Sequence, residues 1–265
     1  MYDIINYNIK ERERFKMEKH YFLVFDTETA NTTLNDKGQL NAKDCLVYDF
    51  GCQVIDHDFN IYEKHSIVNK DVFFGMSDLM QSAYYSEKIP QYLEDIKEGK
   101  RIVKSWYEIK ALLYDICNRY NIKAIVAHNA RFDYNACNGT QRYLTKSAYR
   151  NFFPKDVEIW DTMKMATDTI CKMKSYKDWC AVNGYLTANN QVRKTAEILY
   201  RFIANDETFI ESHTGLEDVE IESIIFYECF RKHKPMRRKL FDKPFDFTGY
   251  MKNEKIFIQS CKDLY

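Results

Sequence analysis

The chain of 265 residues has little backbone punctuation: it contains only eight glycines and four prolines. So low a content excludes collagen-like and low-complexity classes and predicts a protein dominated by regular elements, without long structureless linkers. A charge bias is missing as well, with 39 basic residues against 39 acidic ones. No global field therefore draws a polyanion, and any nucleic-acid contact has to come from a local patch or a site. No apolar run approaches the roughly 18 to 20 residues a membrane span needs, and the N-terminus, with Lys10, Glu11, Arg12, Glu13 and Arg14, has no signal-peptide core. A soluble, cytoplasmic protein with no membrane partner is expected. The eight cysteines show no C-x-x-C pair and no Cys/His spacing typical of zinc, so they read as reduced, mostly buried thiols.

What is present is core material, 45% hydrophobic and 15% aromatic residues, enough for one well-buried domain or at most two small ones. Tyr21 to Phe25 forms a short apolar run that reads as a buried strand ending in Asp26-Thr27-Glu28-Thr29. Cys45 to Ile55 and Phe59 to Val68 read as an antiparallel hairpin turning around Asp56, His57 and Asp58. From Ser77 onward the spacing becomes helical, most clearly in Trp106, Ile109, Leu112, Leu113, Ile116 and Tyr120.

Further strands are expected at Ile122 to Ala127 and Glu158 to Thr162, with helices over Arg131 to Tyr143, Lys164 to Ala181 and Arg193 to Ile203. The last helix starts at Thr214, where Thr214 and Glu217 have the spacing of a capping box. The order of elements predicts one mixed α/β sheet, five-stranded, flanked by helices on its faces. Residues 1–20 are set apart as an N-terminal extension, 21–232 as the functional domain and 233–265 as a C-terminal extension.

Four acidic groups fall where α/β proteins place their sites. Asp26 and Glu28 end a buried strand, Asp133 follows another, and Asp218 opens a helix. Such a cluster repels itself unless cations neutralise it, and an oxygen-only donor set favours Mg²⁺ or Mn²⁺ over zinc. Two such ions roughly 3.5 to 4 Å apart are the known device for phosphoryl displacement.

Taken together, Asp26-Thr27-Glu28-Thr29, His128-Asn129-Ala130-Arg131-Phe132-Asp133, and His213 followed by Asp218 resemble the three motifs of the DEDDh 3'-to-5' exonuclease family, in order and separation. The resemblance spans Tyr21 to Lys232, with Trp160-Asp161-Thr162 similar to the family's intermediate strand, and it implies a ribonuclease H-like fold. It further implies that Asp26, Glu28, Asp133 and Asp218 hold two divalent ions, Mg²⁺ or Mn²⁺, and that His213 is the general base. A histidine suits that role because its ordinary pKa lies near neutrality. Thr27, Thr29 and Asn129 would contact the terminal nucleotide or order the loop that does.

The implied activity is metal-dependent removal of nucleoside 5'-monophosphates from 3' ends, of single-stranded DNA first and of RNA as the alternative. A polymerase or replication partner would be consistent with that family, as would a bacterial or phage origin for a chain so rich in Lys, Asn and Tyr. One departure is that Ala30-Asn31 and a polar stretch to Lys43 replace the Thr-Gly that often follows the first motif.

Blander readings stand beside these. A D-x-E triplet arises about once by chance in a chain of this size, Asp218 alone would be a helix N-terminal acid favoured by the macrodipole, and His213 alone a solvated loop histidine. His128 reads as structural, and Trp160 and Asp161 as packing and strand-end hydrogen bonding. The basic run Arg231 to Lys239 is either a phosphate contact or a solvated face. A non-catalytic nucleic-acid-binding module of the same fold is the competitor from another class, and it predicts a broken acid set.

Overall fold

Leu23 and Phe25 alternate with Phe22 and Val24 along the first strand, and all four are buried, so β1 (Tyr21–Ala30) needs cover on both faces. This computed structural model describes residues 19–30, 45–81, 83, 85–145 and 151–241. Within them β1 is joined by β2 (Leu46–Asp56), β3 (Ile61–Asn69), β4 (Ile102–Lys104), β5 (Ala124–Ala127) and β6 (Glu158–Asp161), in the order β4-β3-β2-β1-β5-β6. The pairs β1–β2 and β2–β3 are antiparallel, whereas β1–β5, β5–β6 and β3–β4 are parallel. The sheet is therefore mixed, as expected, with six strands rather than five. The additional strand, β4, has three residues at the sheet's edge, too few to leave a periodic signal.

The helices are α1 (Lys70–Phe73), α2 (Ser77–Gln81), α3 (Ile89–Lys97), α4 (Trp106–Arg119), α5 (Arg131–Leu144), α6 (Thr162–Asp168), α7 (Lys174–Val182), α8 (Ala196–Ala204) and α9 (Gly215–Arg231). Leu23, Phe25, Ile125 and Ala127 pack with Ile109, Leu113 and Ile116 of α4 and Ala136 and Cys137 of α5. Phe22, Val24, Ala124 and Val126 pack on the opposite face with Met165, Leu199, Val219, Ile225 and Phe226 of α6, α8 and α9. The amphipathic α4 forms as its spacing predicts, and a complete capping box between Ser105 and Glu108 starts it.

Three expectations need correction. The helix expected over Lys164 to Ala181 breaks at Thr169, which leaves helical geometry (φ −116°, ψ −83°) while its hydroxyl donates to the Met165 carbonyl at 2.8 Å. Such back-bonding competes with continuation of the helix. The helix expected from Arg193 begins only at Ala196, because Val192 pairs with Leu186 and the Lys194 carbonyl is taken by His128. Thr214 is the N-cap of α9 but makes no capping bond: its hydroxyl donates to the Glu217 carboxylate at 2.7 Å, and that carboxylate also accepts from Arg101 at 3.2 and 3.3 Å. The guanidinium outcompetes a backbone N–H for the acid.

All seven described cysteines are free and buried. No helix among the described residues is long and apolar enough to cross a membrane. The polar stretch that follows the first motif, 31–43, and most of both terminal extensions lie outside the described residues. Residues 238–240 do pair with β6: the Asp161 N–H donates to Arg238 at 2.7 Å and the Leu240 N–H to Ile159 at 2.8 Å, which buries Leu240 in the core.

Candidate active site

Strand alternation aims Asp26 and Glu28 the same way as Phe22 and Val24, toward α9, at the end of β1 that runs parallel to β5. Open α/β sheets gather ligands beyond the carboxyl ends of their strands. A register shift between Glu28 and Thr29 bends the strand immediately past the pair. Beside β1, β5 ends at Ala127, and the chain turns through His128 and Asn129, the latter in the left-handed region (φ 56°), into α5, whose first turn carries Asp133. Asparagine tolerates that conformation better than most residues, so Asn129 serves the turn with its backbone while its side chain is exposed. Asp218 lies in the first turn of α9.

The three segments converge. Ligand atoms of Glu28, His213 and Asp218 all lie within 4.8 Å of one another. Asp26 sits among acids: burial first, and then Glu222, Asp133, Glu28 and Asp218, hold its carboxyl well above the usual range. Burial, and then Asp218 and Asp49, do the same to Glu28. Burial raises Asp133 to about 7 despite the Thr27 hydroxyl, which donates to its Oδ1 at 2.7 Å. Burial and Glu211 raise Asp218 to about 8. Burial leads in each case and is reinforced by neighbouring acids, while Lys88 opposes the rise at Glu28 and Asp218.

Glu222 is the site residue that sequence reasoning missed. It stands one turn after Asp218 on α9, is 3% exposed, accepts the His128 backbone N–H at 3.1 Å, and is pushed up by burial and by Asp133 and Asp218. The i, i+4 spacing from Asp218 was the available signal. Thr27 is buried and bonded to Asp133, Thr29 is half-buried past the bulge, and the Asn129 side chain is exposed.

The remaining motif residues have structural partners. The His128 ring is fixed between the Thr162 hydroxyl and the Lys194 carbonyl, both at 2.8 Å, and burial lowers its pKa. Asp161 caps α6 through the Met163 and Lys164 N–H groups. Much of the basic run is engaged by acids or a ring: Arg231 and Lys232 with Glu228, Arg237 with Asp168, Lys239 with Glu158, and Arg238 over Trp160 at 4.6 Å.

The start of α9 is held by a buried polar group. Asp49 accepts from the Gly215 N–H at 2.9 Å, from Tyr92 Oη at 2.5 Å and from Arg101 at 3.2 Å, and Arg101 continues to Ser66 and Asp95. His213 precedes that helix in the left-handed region (φ 50°), and burial and Lys88 lower its pKa.

No protein-family model matches the sequence, and no curated protein does. Among solved structures, the chain is similar to a 3'-exonuclease described in 3'-end specific recognition of a histone mRNA stem-loop, with TM-score 0.52 and 10% identity over 91% of this chain and 76% of that one. It is similar to a full-length 3'-exonuclease, with TM-score 0.51 and 8% identity over 84% and 88% of the two chains. It is also similar to the nuclease domain of 3'hExo, a DEDDh family member, bound to rAMP, with TM-score 0.49 and 9% identity over 84% and 99%.

At these identities the likeness is one of fold, and that fold is the ribonuclease H-like α/β architecture of 3'-exonucleases. The sequence motifs that resemble those of the DEDDh exonucleases, carried by Asp26, Glu28, Asp133, Asp218 and His213, thus lie on a fold similar to that of 3'-exonucleases.

Proposed function

We propose that this protein is a metal-dependent 3'-to-5' exonuclease that hydrolyses the terminal phosphodiester of a single-stranded polynucleotide and releases nucleoside 5'-monophosphates. The observation that carries the reading is the convergence of Glu28, His213 and Asp218 within 4.8 Å, beside Asp26 and Asp133, on a 3'-exonuclease fold. A non-catalytic module would not be expected to retain four carboxylates whose mutual repulsion costs stability, with a histidine beside them.

The donor set fits divalent ions. Carboxylates held well above their ordinary range by burial and by one another are what a hard cation relieves, and oxygen donors favour Mg²⁺ or Mn²⁺. Asp26, Glu28, Asp133 and Asp218 would hold two such ions, which when bound supply Lewis acidity at the phosphate and acidify the attacking water.

The chain's own residues do the rest. His213, with its pKa lowered, is neutral near pH 7 and accepts the proton of the attacking water at a ring nitrogen. Thr27 and the start of α5 orient Asp133, and Glu222 ties α9 to the end of β5 through the His128 N–H. Thr29 and Asn129 border the place where the terminal nucleotide would lie.

DNA is the first substrate to test. RNA is the second reading, favoured by the neighbour described with a histone mRNA stem-loop. The test uses 5'-labelled DNA and RNA oligonucleotides of one sequence with Mg²⁺, Mn²⁺ or EDTA, comparing wild type with Asp218→Ala. A metal-dependent ladder shortening from the 3' end, lost in the variant, supports the reading and names the polymer. Intact oligonucleotides with every metal would sink it.

A further inference from the structure

His213 occupies a position that its own backbone does not secure. It lies in the left-handed region, outside any helix or strand, and on one side of it opens a cavity of about 520 Å³ whose lining includes Arg193, Thr195, Glu197, Glu211 and His213 itself. The ring therefore has two neighbourhoods open to it, the acid cluster with Glu28 and Asp218 or the cavity with Glu197 and Glu211. A rotation between them would remove the ring from the site without disturbing the core.

The turn just before α3 bears on the first of these. Tyr85 stacks on His213 with ring centroids 4.6 Å apart and planes 15° from parallel. Three residues on, the Lys88 ammonium donates to the carbonyl of Ser212 and, at 3.3 Å, to that of His213. Ser212 in turn meets Thr214 at 2.9 Å and Asp218 at 3.3 Å. The ring face, the backbone and the preceding side chain are thus each held, two of them from residues more than a hundred positions earlier in the chain.

We infer that Tyr85 and Lys88 are positioning residues for His213, forming a brace that keeps its ring on Glu28 and Asp218 before any substrate arrives. This rests on the exonuclease reading of the site, and it makes the Tyr85 ring, rather than its hydroxyl, the working part. An aromatic contact of this kind biases two ring positions by up to about tenfold. Tyr85→Ala is therefore expected to lower kcat by up to about tenfold with KM changed by less than about twofold, whereas Tyr85→Phe retains wild-type kcat.

Two measurements test the brace. In steady-state cleavage of a 5'-labelled oligonucleotide, an unchanged kcat in Tyr85→Ala, a loss confined to KM, or a Phe variant as impaired as the Ala variant would each overturn it. The second needs no activity. With six histidines in the chain, the His213 ring protons can be assigned by their disappearance in His213→Asn. They should sit upfield from the Tyr85 ring current in wild type and Tyr85→Phe and move downfield in Tyr85→Ala. If wild type cleaves neither DNA nor RNA yet the shift behaves this way, the exonuclease reading fails and the ring contact stands. If the shift is the same in all three proteins, the brace is wrong whatever the enzyme does.

Discussion

Gly51 of β2 and Gly215 at the start of α9 lie in backbone contact: a Cβ on Gly51 would stand 2.1 Å from the Gly215 carbonyl carbon and 2.3 Å from the Leu216 nitrogen. This close approach lets the start of α9 settle onto the sheet, and with it come Asp218 and the loop that bears His213. Backbone atoms cannot yield as a flexible side chain would. Gly51→Ala is expected to cost about 1 to 3 kcal/mol in urea unfolding and to lower nuclease activity by more than the lost stability explains. Wild-type values for both would show that the helix does not sit so close.

Asp49 supports the same helix by charge. Replacing it with Ala leaves the 2% exposed Arg101 without its buried partner and the Gly215 N–H without an acceptor. Breaking a buried pair on one side costs about 3 to 5 kcal/mol. Thermal and chemical unfolding of Asp49→Ala should register a loss of that order, and a loss below about 1 kcal/mol would mean that the pair is effectively solvated.

The catalytic assignment separates two variants. Asp218→Ala is expected to abolish turnover and weaken metal binding with a folded circular-dichroism spectrum. His213→Ala is expected to lower kcat by about 10² to 10⁴-fold with metal affinity retained. Wild-type turnover in either variant removes that residue from the mechanism.

Metal binding should release protons. Asp26, Glu28, Asp133 and Asp218 all have raised pKa values, so without metal part of the cluster is protonated near pH 7, and a cation must displace those protons. Calorimetric titrations of Mg²⁺ in two buffers of different ionisation enthalpy should give heats that differ in the direction of release, and Mg²⁺ should raise the melting temperature relative to EDTA. Identical heats would show that the acids are already ionised.

Stability at low pH should show the Asp56 carboxylate. Burial alone would raise its pKa, but the hydrogen bonds from Asn60, Tyr62 and Asp58 outweigh it and lower the value to about 2. The folded value is depressed, so the stabilisation is complete above the unfolded carboxylate's pKa near 4 and is lost as pH falls through about 2. Asp56→Asn should therefore be less stable than wild type by about 2 kcal/mol at pH 7, with the difference shrinking toward pH 2. A constant difference would mean that Asp56 acts by shape alone.

Local patterns in the sequence were enough to locate the strands that carry the candidate site and the acids gathered there. The continuous apolar run from Tyr21 to Phe25 read as a buried strand, and the strand period puts Asp26 and Glu28 on one side at its end. The spacing from Trp106 to Tyr120 defined α4, and the His128 to Asp133 run set an acid at the start of a helix. These are local patterns, fixed within one or two turns of chain.

How these pieces meet depends on contacts between segments far apart in the chain. Glu222 joins the cluster because α9 lies across β1 and β2 and the His128 N–H needs an acceptor, a pairing 94 residues apart in sequence. Thr27, expected at the nucleotide, also finds Asp133 as a hydrogen-bond partner because α5 covers the opposite face of the same strand. Thr214 and Glu217 failed to close their box because Arg101 claimed the acid, and Tyr85 reached His213 across nearly half of the chain. Periodicity sets which way a side chain points, but the partner it finds there depends on how close two backbones can come, and at Gly51 and Gly215 that closeness exists only in the folded chain.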